Sequence, residues 1–279
     1  MKDLISVDVE EWHQTVLFDP GETDSAVRTD LPRDVERILS LLDSFQTKAT
    51  FFVVGCVAEK YPGLVGSIAS RGHEIASHGY SHRLVRSMRQ DEFTREIVRS
   101  KELLTRQAGA EVSGYRASTW SLPAGEDWPL DALASAGYRY DSSLYPLKAR
   151  PHMGREAEES RFPHRLDSGL WEFPPSTNDL LGWNVPFSGG TFLRFRTLGS
   201  IQRGIRRIHE LGRPAMIYCH SWEFSGSVPG GIPAWKRFIQ FGNVRSVETK
   251  IAALLGAFAF RPIRDLLSEL QPSPEGAGR

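Results

Sequence analysis

The sequence predicts an α/β protein whose parallel strands close into a barrel. Strand-like and helix-like patterns alternate along most of the 279 residues. Short β-branched and aromatic runs, such as residues 50–54, are typical of strands buried on both faces, and their alternation with helices favours a parallel sheet. A dinucleotide-binding sheet would carry a glycine-rich phosphate loop after its first strand. This chain has none there, so a barrel is favoured over an open, doubly wound sheet.

Each predicted element has a local signal. Apolar residues at helical spacing predict helices around residues 35–45, 64–71, 93–108 and 198–211. Strand-like runs predict strands at residues 6–10, 50–54, 73–77, 112–115, 138–141, 171–173 and 215–219. Residues 146–169 show little periodicity and predict a long loop, and residues 271–279 predict a disordered tail. We therefore expect one catalytic domain over residues 1–270.

The composition gives the protein no net charge, so any charged partner would have to be met by a local patch. Lys plus Arg and Asp plus Glu both total 34, so no global field would recruit nucleic acid or an anionic surface. Cys56 and Cys219 lie in apolar runs and are expected to pack as small hydrophobic side chains. The N-terminus lacks an apolar run long enough for a signal peptide, and no stretch of about 18 apolar residues occurs. We therefore expect a soluble, cytoplasmic protein.

Two carboxylates occupy one face of the first predicted strand. Asp8 and Glu10 are two residues apart, so their side chains point the same way. Burying such groups without partners costs on the order of several kcal/mol. They either face water at the strand end, pair with Arg or Lys, or belong to a functional site.

Further polar residues follow other predicted strands, on the face where barrels assemble their sites. His78 and His82 are four apart and would lie side by side on a helical turn, close enough to share a metal ion. Such a pair alone is often a surface accident, but its place directly after a strand favours a site. Arg116 would form either an ordinary ion pair or a bidentate clamp on a carboxylate. His220 would be a core histidine or a general acid or base.

Taken in order between Ser6 and Glu223, these residues resemble the polysaccharide deacetylase family, the carbohydrate esterases built on the NodB homology domain. The opening Asp-Val-Glu and the segment 220–224, His-Ser-Trp-Glu-Phe, are similar to the branch associated with exopolysaccharide and exosortase gene clusters. The resemblance implies a distorted (β/α)7 barrel. It also implies a divalent metal, most often zinc, with cobalt, nickel or manganese as alternatives.

The resemblance implies a role for each matching residue. Asp8 would be the catalytic base, oriented by Arg116, and His220 the general acid. The metal ligands would be Glu10, His78 and His82, with Glu10 in place of the family's usual adjacent aspartate. Glu11 is the alternative ligand, although it should face the other way. Where the family commonly has proline this chain has Ser118, and an oxyanion donor is expected near Thr119.

The implied reaction is removal of N-acetyl groups from an exopolysaccharide or its lipid-linked amino-sugar precursor. An amino-sugar deformylase, a cyclic-amide hydrolase and a non-catalytic glycan-binding barrel are the alternatives. Trp120 and Trp222 would contact a sugar ring, although buried packing is the commoner role of tryptophan. The basic stretch 194–213 is either a solvated helix face or a contact with the inner membrane or a lipid carrier.

Overall fold

The computed structural model describes residues 1–18, 30–146, 161–181, 183–226 and 228–271. Most of the predicted loop at 146–169, and all of the predicted tail at 271–279 except residue 271, lie outside the described residues.

Helices and strands alternate through the first part of the chain. The strands are β1 Asp3–Val9, β2 Thr50–Val53, β3 Glu74–Ser77, β4 Gly114–Tyr115, β5 Tyr140–Asp141, β6 His164–Arg165, β7 Trp171–Glu172, β8 Thr177–Leu180, β9 Trp183–Pro186, β10 Met216–His220 and β11 Phe260–Arg261. The helices are α1 Leu31–Ser44, α2 Gly55–Lys60, α3 Leu64–Ser70, α4 Gln90–Ala108, α5 Trp128–Ser135, α6 Gly190–Phe195, α7 Leu198–Glu210, α8 Ala234–Phe241, α9 Ser246–Ala257 and α10 Ile263–Leu270.

The main sheet is a curled, barrel-like sheet in the order β10-β1-β2-β3-β4-β5-β7-β6, with β11 also pairing with β1. All of these pairs are parallel except β6 with β7. Ser176, just after β7, bridges to the other end of the sheet: its amide donates to the Met216 carbonyl at 3.3 Å, and its hydroxyl accepts from the Met216 amide at 2.7 Å. The predicted distorted barrel is confirmed.

The two faces of β1 have different neighbours because side chains alternate along a strand. Ile5, Val7 and Val9 belong to the large apolar layer between the sheet and its helices. Leu4, on the opposite face, joins the smaller interior cluster that α10 closes from below. Asp8 follows on that interior face, so the barrel interior changes from apolar to ionic along β1.

The predicted strands and helices are present, several of them shorter than expected. β4 covers only Gly114–Tyr115, for example. The hairpin β8–β9 and helices α8–α10 were not predicted. β8 carries Thr, Asn and Asp, and β9 contains Asn184 and Pro186, so neither has the apolar alternation of a strand. Among the described residues, no helix combines the length and the apolar character needed to cross a bilayer.

The approach of β4 to β5 generates a prediction. A Cβ added at Gly114 would lie 2.0 Å from the ring of Tyr140, which is fully buried and cannot move aside. We expect Gly114→Ala to lower the free energy of unfolding by about 1–3 kcal/mol, measured by urea denaturation. Gly63→Ala is the control, because nothing lies within 4 Å of its added Cβ. Equal stability of the two variants would contradict the packing described.

Candidate active site

Four strands of the main sheet, β10, β1, β3 and β4, deliver the site residues to one edge of the sheet. Asp8 lies near the end of β1 and pairs in register with His220 at the end of β10. His78 directly follows β3, and Arg116 directly follows β4. Because these strands are parallel, their carboxyl ends meet, and the side chains converge inside the barrel mouth.

Arg116 is the largest fully buried side chain, and its charge is neutralised by Asp8. Its Nη1 donates to Asp8 Oδ1 at 2.6 Å and to the Ser6 hydroxyl at 3.1 Å. Its Nη2 donates to the Ser142 hydroxyl at 2.9 Å, and the guanidinium lies 4.0 Å from the centroid of the Phe52 ring. These contacts fix the guanidinium and leave Asp8 with one defined orientation.

Glu10, His78 and His82 form a compact group of potential metal ligands, with one ligand atom from each within 4.8 Å of the others. Glu10 Oε2 is 2.6 Å from His82 Nε2 and 3.6 Å from His78 Nε2. His78 Nδ1 bonds to the Arg116 carbonyl at 2.8 Å, so as a donor there it leaves Nε2 free to bind a cation. The side chain of His82 is only 4% exposed, and its Nε2 faces the Glu10 carboxylate. Two imidazoles and a carboxylate are ligands that suit zinc, so this group fits a divalent cation.

The Glu10 carboxylate and the rings of His78 and His82 interact electrostatically. Burial would raise the pKa of Glu10, but His82 and His78 outweigh it and hold that pKa well below its usual range. Burial likewise opposes protonation of His82, and the Glu10 carboxylate outweighs it and raises the pKa of His82.

The two histidines do not share a helical turn, which corrects the prediction. Gly79 and His82 have φ of 72° and 59°, in the left-handed region that interrupts a right-handed helix. The loop nevertheless brings the rings together, with centroids 5.0 Å apart. A left-handed conformation is uncommon for histidine and is typical of residues constrained by a functional site.

Trp222 lies between the metal group and His220. Its indole N–H donates to Glu10 Oε1 at 3.1 Å, and its ring stacks on His220 with centroids 5.3 Å apart. The residue is only 3% exposed. Trp222 therefore positions two site residues, a role that the sequence did not reveal, and its contact with sugar stays a prediction.

His220 is bound to a buried ion pair that the sequence analysis also missed. Its Nδ1 lies 3.1 Å from Glu223 Oε2, and Glu223 Oε1 accepts from Arg194 Nη1 at 2.7 Å. Burial opposes protonation of His220, but the Glu223 carboxylate outweighs it and raises the pKa of His220 to about 9. The sequence feature that could have indicated this ion pair is Glu223, which lies three positions after His220.

The remaining predicted residues line or flank the cavity. Thr119 and Trp120 line a cavity of about 310 Å³ together with the ligand group. Trp120 is 7% exposed and packs on Tyr145 and Tyr218. The Glu11 carboxylate accepts instead from Lys60 and Tyr61, at 2.9 and 3.0 Å.

The cavity continues into a second one of about 560 Å³. The two cavities share four lining residues, namely Thr15, Val16, His82 and Thr119. The two cavities therefore meet beside the ligand group, because His82 lines both of them.

Two family models match consecutive parts of the chain. Residues 10–140 match the polysaccharide deacetylase family model, and residues 142–268 match a domain of unknown function, DUF3473. A structure described as a polysaccharide deacetylase from Mycobacterium smegmatis superposes with a TM-score of 0.66 at 24% identity, over 95% of this chain and 88% of that one. This likeness shows the shared fold.

Two curated relatives match shorter stretches. A peptidoglycan-N-acetylglucosamine deacetylase of Bacillus cereus is 42% identical over 73 residues, 26% of each chain. A peptidoglycan deacetylase of Helicobacter pylori is 27% identical over 141 residues, 50% of this chain and 47% of the relative. This chain thus spans less than half the length of either relative. The chain therefore carries a polysaccharide deacetylase domain at residues 10–140, followed by DUF3473 at residues 142–268.

The ligand group generates a prediction about metal content. We expect Glu10→Ala to weaken binding of zinc by more than about tenfold, measured by equilibrium dialysis and elemental analysis. Glu11→Ala is the matched control, because it removes the adjacent carboxylate, which faces Lys60 rather than His78 or His82. Circular dichroism should show both variants folded. Full zinc binding by Glu10→Ala would remove Glu10 from the ligand set.

Proposed function

We propose that this protein, which carries a polysaccharide deacetylase domain, is a metal-dependent hydrolase that removes N-acetyl groups from a glycan. The main support for the proposal is that one cavity contains a carboxylate and a histidine, each held in place by its own charged partner. Asp8 is held by Arg116 on one side, and His220 is held by Glu223 on the other. The cation-binding group lies in the same cavity. A protein that only binds glycans has no need of this arrangement.

Asp8 would act as the general base. Of the two carboxylates that line the cavity, Asp8 is the one that is not among the proposed ligands, and Arg116 donates a hydrogen bond to it. Amide hydrolysis needs a nucleophile stronger than neutral water, and Asp8 can accept the proton that water loses as it attacks the acyl carbon. A divalent cation held by Glu10, His78 and His82 would supply Lewis acidity, which polarises the acyl carbonyl and favours the nucleophile.

His220 would act as the general acid. An amine leaves an amide bond only if its nitrogen is protonated, so the acid must carry a proton near neutral pH. Glu223 provides this by raising the pKa of His220 to about 9, and by accepting at Nδ1 it leaves Nε2 to face the cavity. The backbone N–H of Thr119, beside Arg116 on the cavity wall, would donate to the oxyanion.

The adjoining cavities favour a substrate larger than one sugar. The ligand group lies at the junction, since His82 lines both cavities. The two relatives described above are named as peptidoglycan deacetylases, and an N-acetylated polymer or its lipid-linked precursor has the same scissile amide. We propose an exopolysaccharide or lipid-linked amino sugar as the substrate class.

The base assignment generates the first activity prediction. Asp8→Asn removes the proton acceptor but keeps the size of the side chain. We expect unchanged zinc content and a loss of at least about 100-fold in acetate release from N-acetylglucosamine oligomers. The same oligomers bearing N-formyl groups, assayed for formate, separate deacetylation from deformylation. Acetate release at the wild-type rate would exclude Asp8 as the base.

The acid assignment predicts a pH dependence. Protonated His220 is present below its pKa and lost above it, so acetate release should decline as pH rises through the alkaline range. Glu223→Gln removes the carboxylate that raises the pKa of His220, so the alkaline limb should move to lower pH. His220→Ala should abolish that limb. An alkaline limb that is identical in all three proteins would belong to another group.

A further inference from the structure

Helix α8 presents three large apolar residues to solvent and buries a polar one. Trp235, Phe238 and Ile239 are 57%, 67% and 41% exposed, whereas Gln240 is 3% exposed. A surface helix ordinarily has the opposite orientation, with its apolar side chains towards the core. Exposed apolar side chains that cluster mark a contact surface more often than isolated ones do.

This orientation is held by specific contacts. Gln240 Nε2 donates to the Trp12 carbonyl at 3.1 Å. The Phe241 ring packs on Trp12 and Trp222, with centroids 5.7 and 5.9 Å apart. Trp222 also donates a hydrogen bond to Glu10, so α8 packs against a residue that contacts the proposed ligand group.

A neighbouring helix extends the exposed surface. Phe195, at the end of α6, is 41% exposed, and its ring lies 5.6 Å from that of Phe238. We call these four residues, Phe195, Trp235, Phe238 and Ile239, the aromatic patch. Ile239 also lines the cavity that holds Glu10, so the aromatic patch borders the site entrance.

The segments that carry the aromatic patch are basic in a protein with no net charge. Residues 180–209 and 224–247 contain no Asp or Glu. Their exposed or partly exposed basic residues are Arg196, Arg203, Arg206, Arg207, Lys236, Arg237 and Arg245, whereas Arg194 is buried against Glu223. Arg237 and Arg245 are exposed, and Lys236 Nζ lies 5.6 Å from the centroid of the Trp235 ring.

We propose that the aromatic patch docks on the surface of an anionic lipid bilayer. Tryptophan and phenylalanine partition into the headgroup region, and flanking Lys and Arg are attracted electrostatically to anionic lipids. A protein partner would match the aromatic residues equally well, but the absence of acids from both segments matches a surface of uniform negative charge. The attachment is peripheral, through side chains of α6 and α8.

Docking would place the site entrance against the bilayer. If the proposed function holds, this geometry favours an amino sugar carried on a lipid over a soluble oligomer. The docking itself does not depend on that function, because it involves residues outside the catalytic and ligand groups.

The test is co-sedimentation of the full chain with vesicles of phosphatidylcholine alone or with about 30% phosphatidylglycerol, an anionic fraction chosen to attract basic residues. We expect binding to the anionic vesicles that weakens with salt, and at least about tenfold weaker binding for the double variant Trp235→Ser/Phe238→Ser. Arg237→Glu should weaken binding to anionic vesicles only.

The matched control is Phe45→Ser/Leu211→Ser. These residues are 38% and 56% exposed, but each lies between a helix and the start of a strand, at the opposite end of the barrel. The control should bind as the wild type does, and all variants should release acetate from soluble oligomers at the wild-type rate.

Equal sedimentation of wild type and Trp235→Ser/Phe238→Ser would overturn the proposal. So would a concentration-dependent dimer, seen by light scattering, that the double variant loses without any vesicle binding in the wild type. Failure of acetate release with intact vesicle binding would instead count against the proposed function alone.

Discussion

The barrel interior has to accommodate a buried guanidinium, and the site is arranged around that requirement. An isolated buried charge is strongly destabilising, so Arg116 needs a carboxylate and neutral acceptors at hydrogen-bond distance. Asp8, Ser6 and Ser142 supply them from β1 and from the segment after β5. The Arg116 carbonyl, in turn, bonds to His78 Nδ1. One residue therefore orients the proposed base through its side chain and a proposed ligand through its backbone.

The second half of the chain completes the site that the first half begins. β10 pairs with β1 and places His220 beside Asp8. Trp222 then reaches back to Glu10, and the Ser221 hydroxyl accepts from the Glu10 amide at 3.1 Å and donates to the Glu10 carbonyl at 2.9 Å. The DUF3473 match thus contributes the proposed acid and the contacts that hold Glu10. A deacetylase domain ending at residue 140 would lack both.

The sequence revealed the parts of this site that depend on local periodicity or on the order of motifs. Alternation along β1 predicted that Asp8 and Glu10 share a face, and strand ends located His78, Arg116 and His220. It could not reveal contacts set by tertiary structure. The Trp222–Glu10 bond joins residues 212 positions apart. Helix α8 escaped prediction for another reason: its apolar residues face solvent, so its pattern does not report a core-facing helix.

The spacing of the two acids explains how they can have different roles. With one residue between them, Asp8 and Glu10 both enter the barrel and would repel each other if they shared one environment. Each has its own cationic partners instead: Arg116 for Asp8, and the histidines for Glu10. Glu11, one residue further, leaves the interior and pairs with Lys60. An adjacent pair of acids would point to opposite faces of a regular strand. The intervening Val9 therefore allows Asp8, near the end of β1, and Glu10, directly after β1, to enter the barrel together as the proposed base and the proposed ligand.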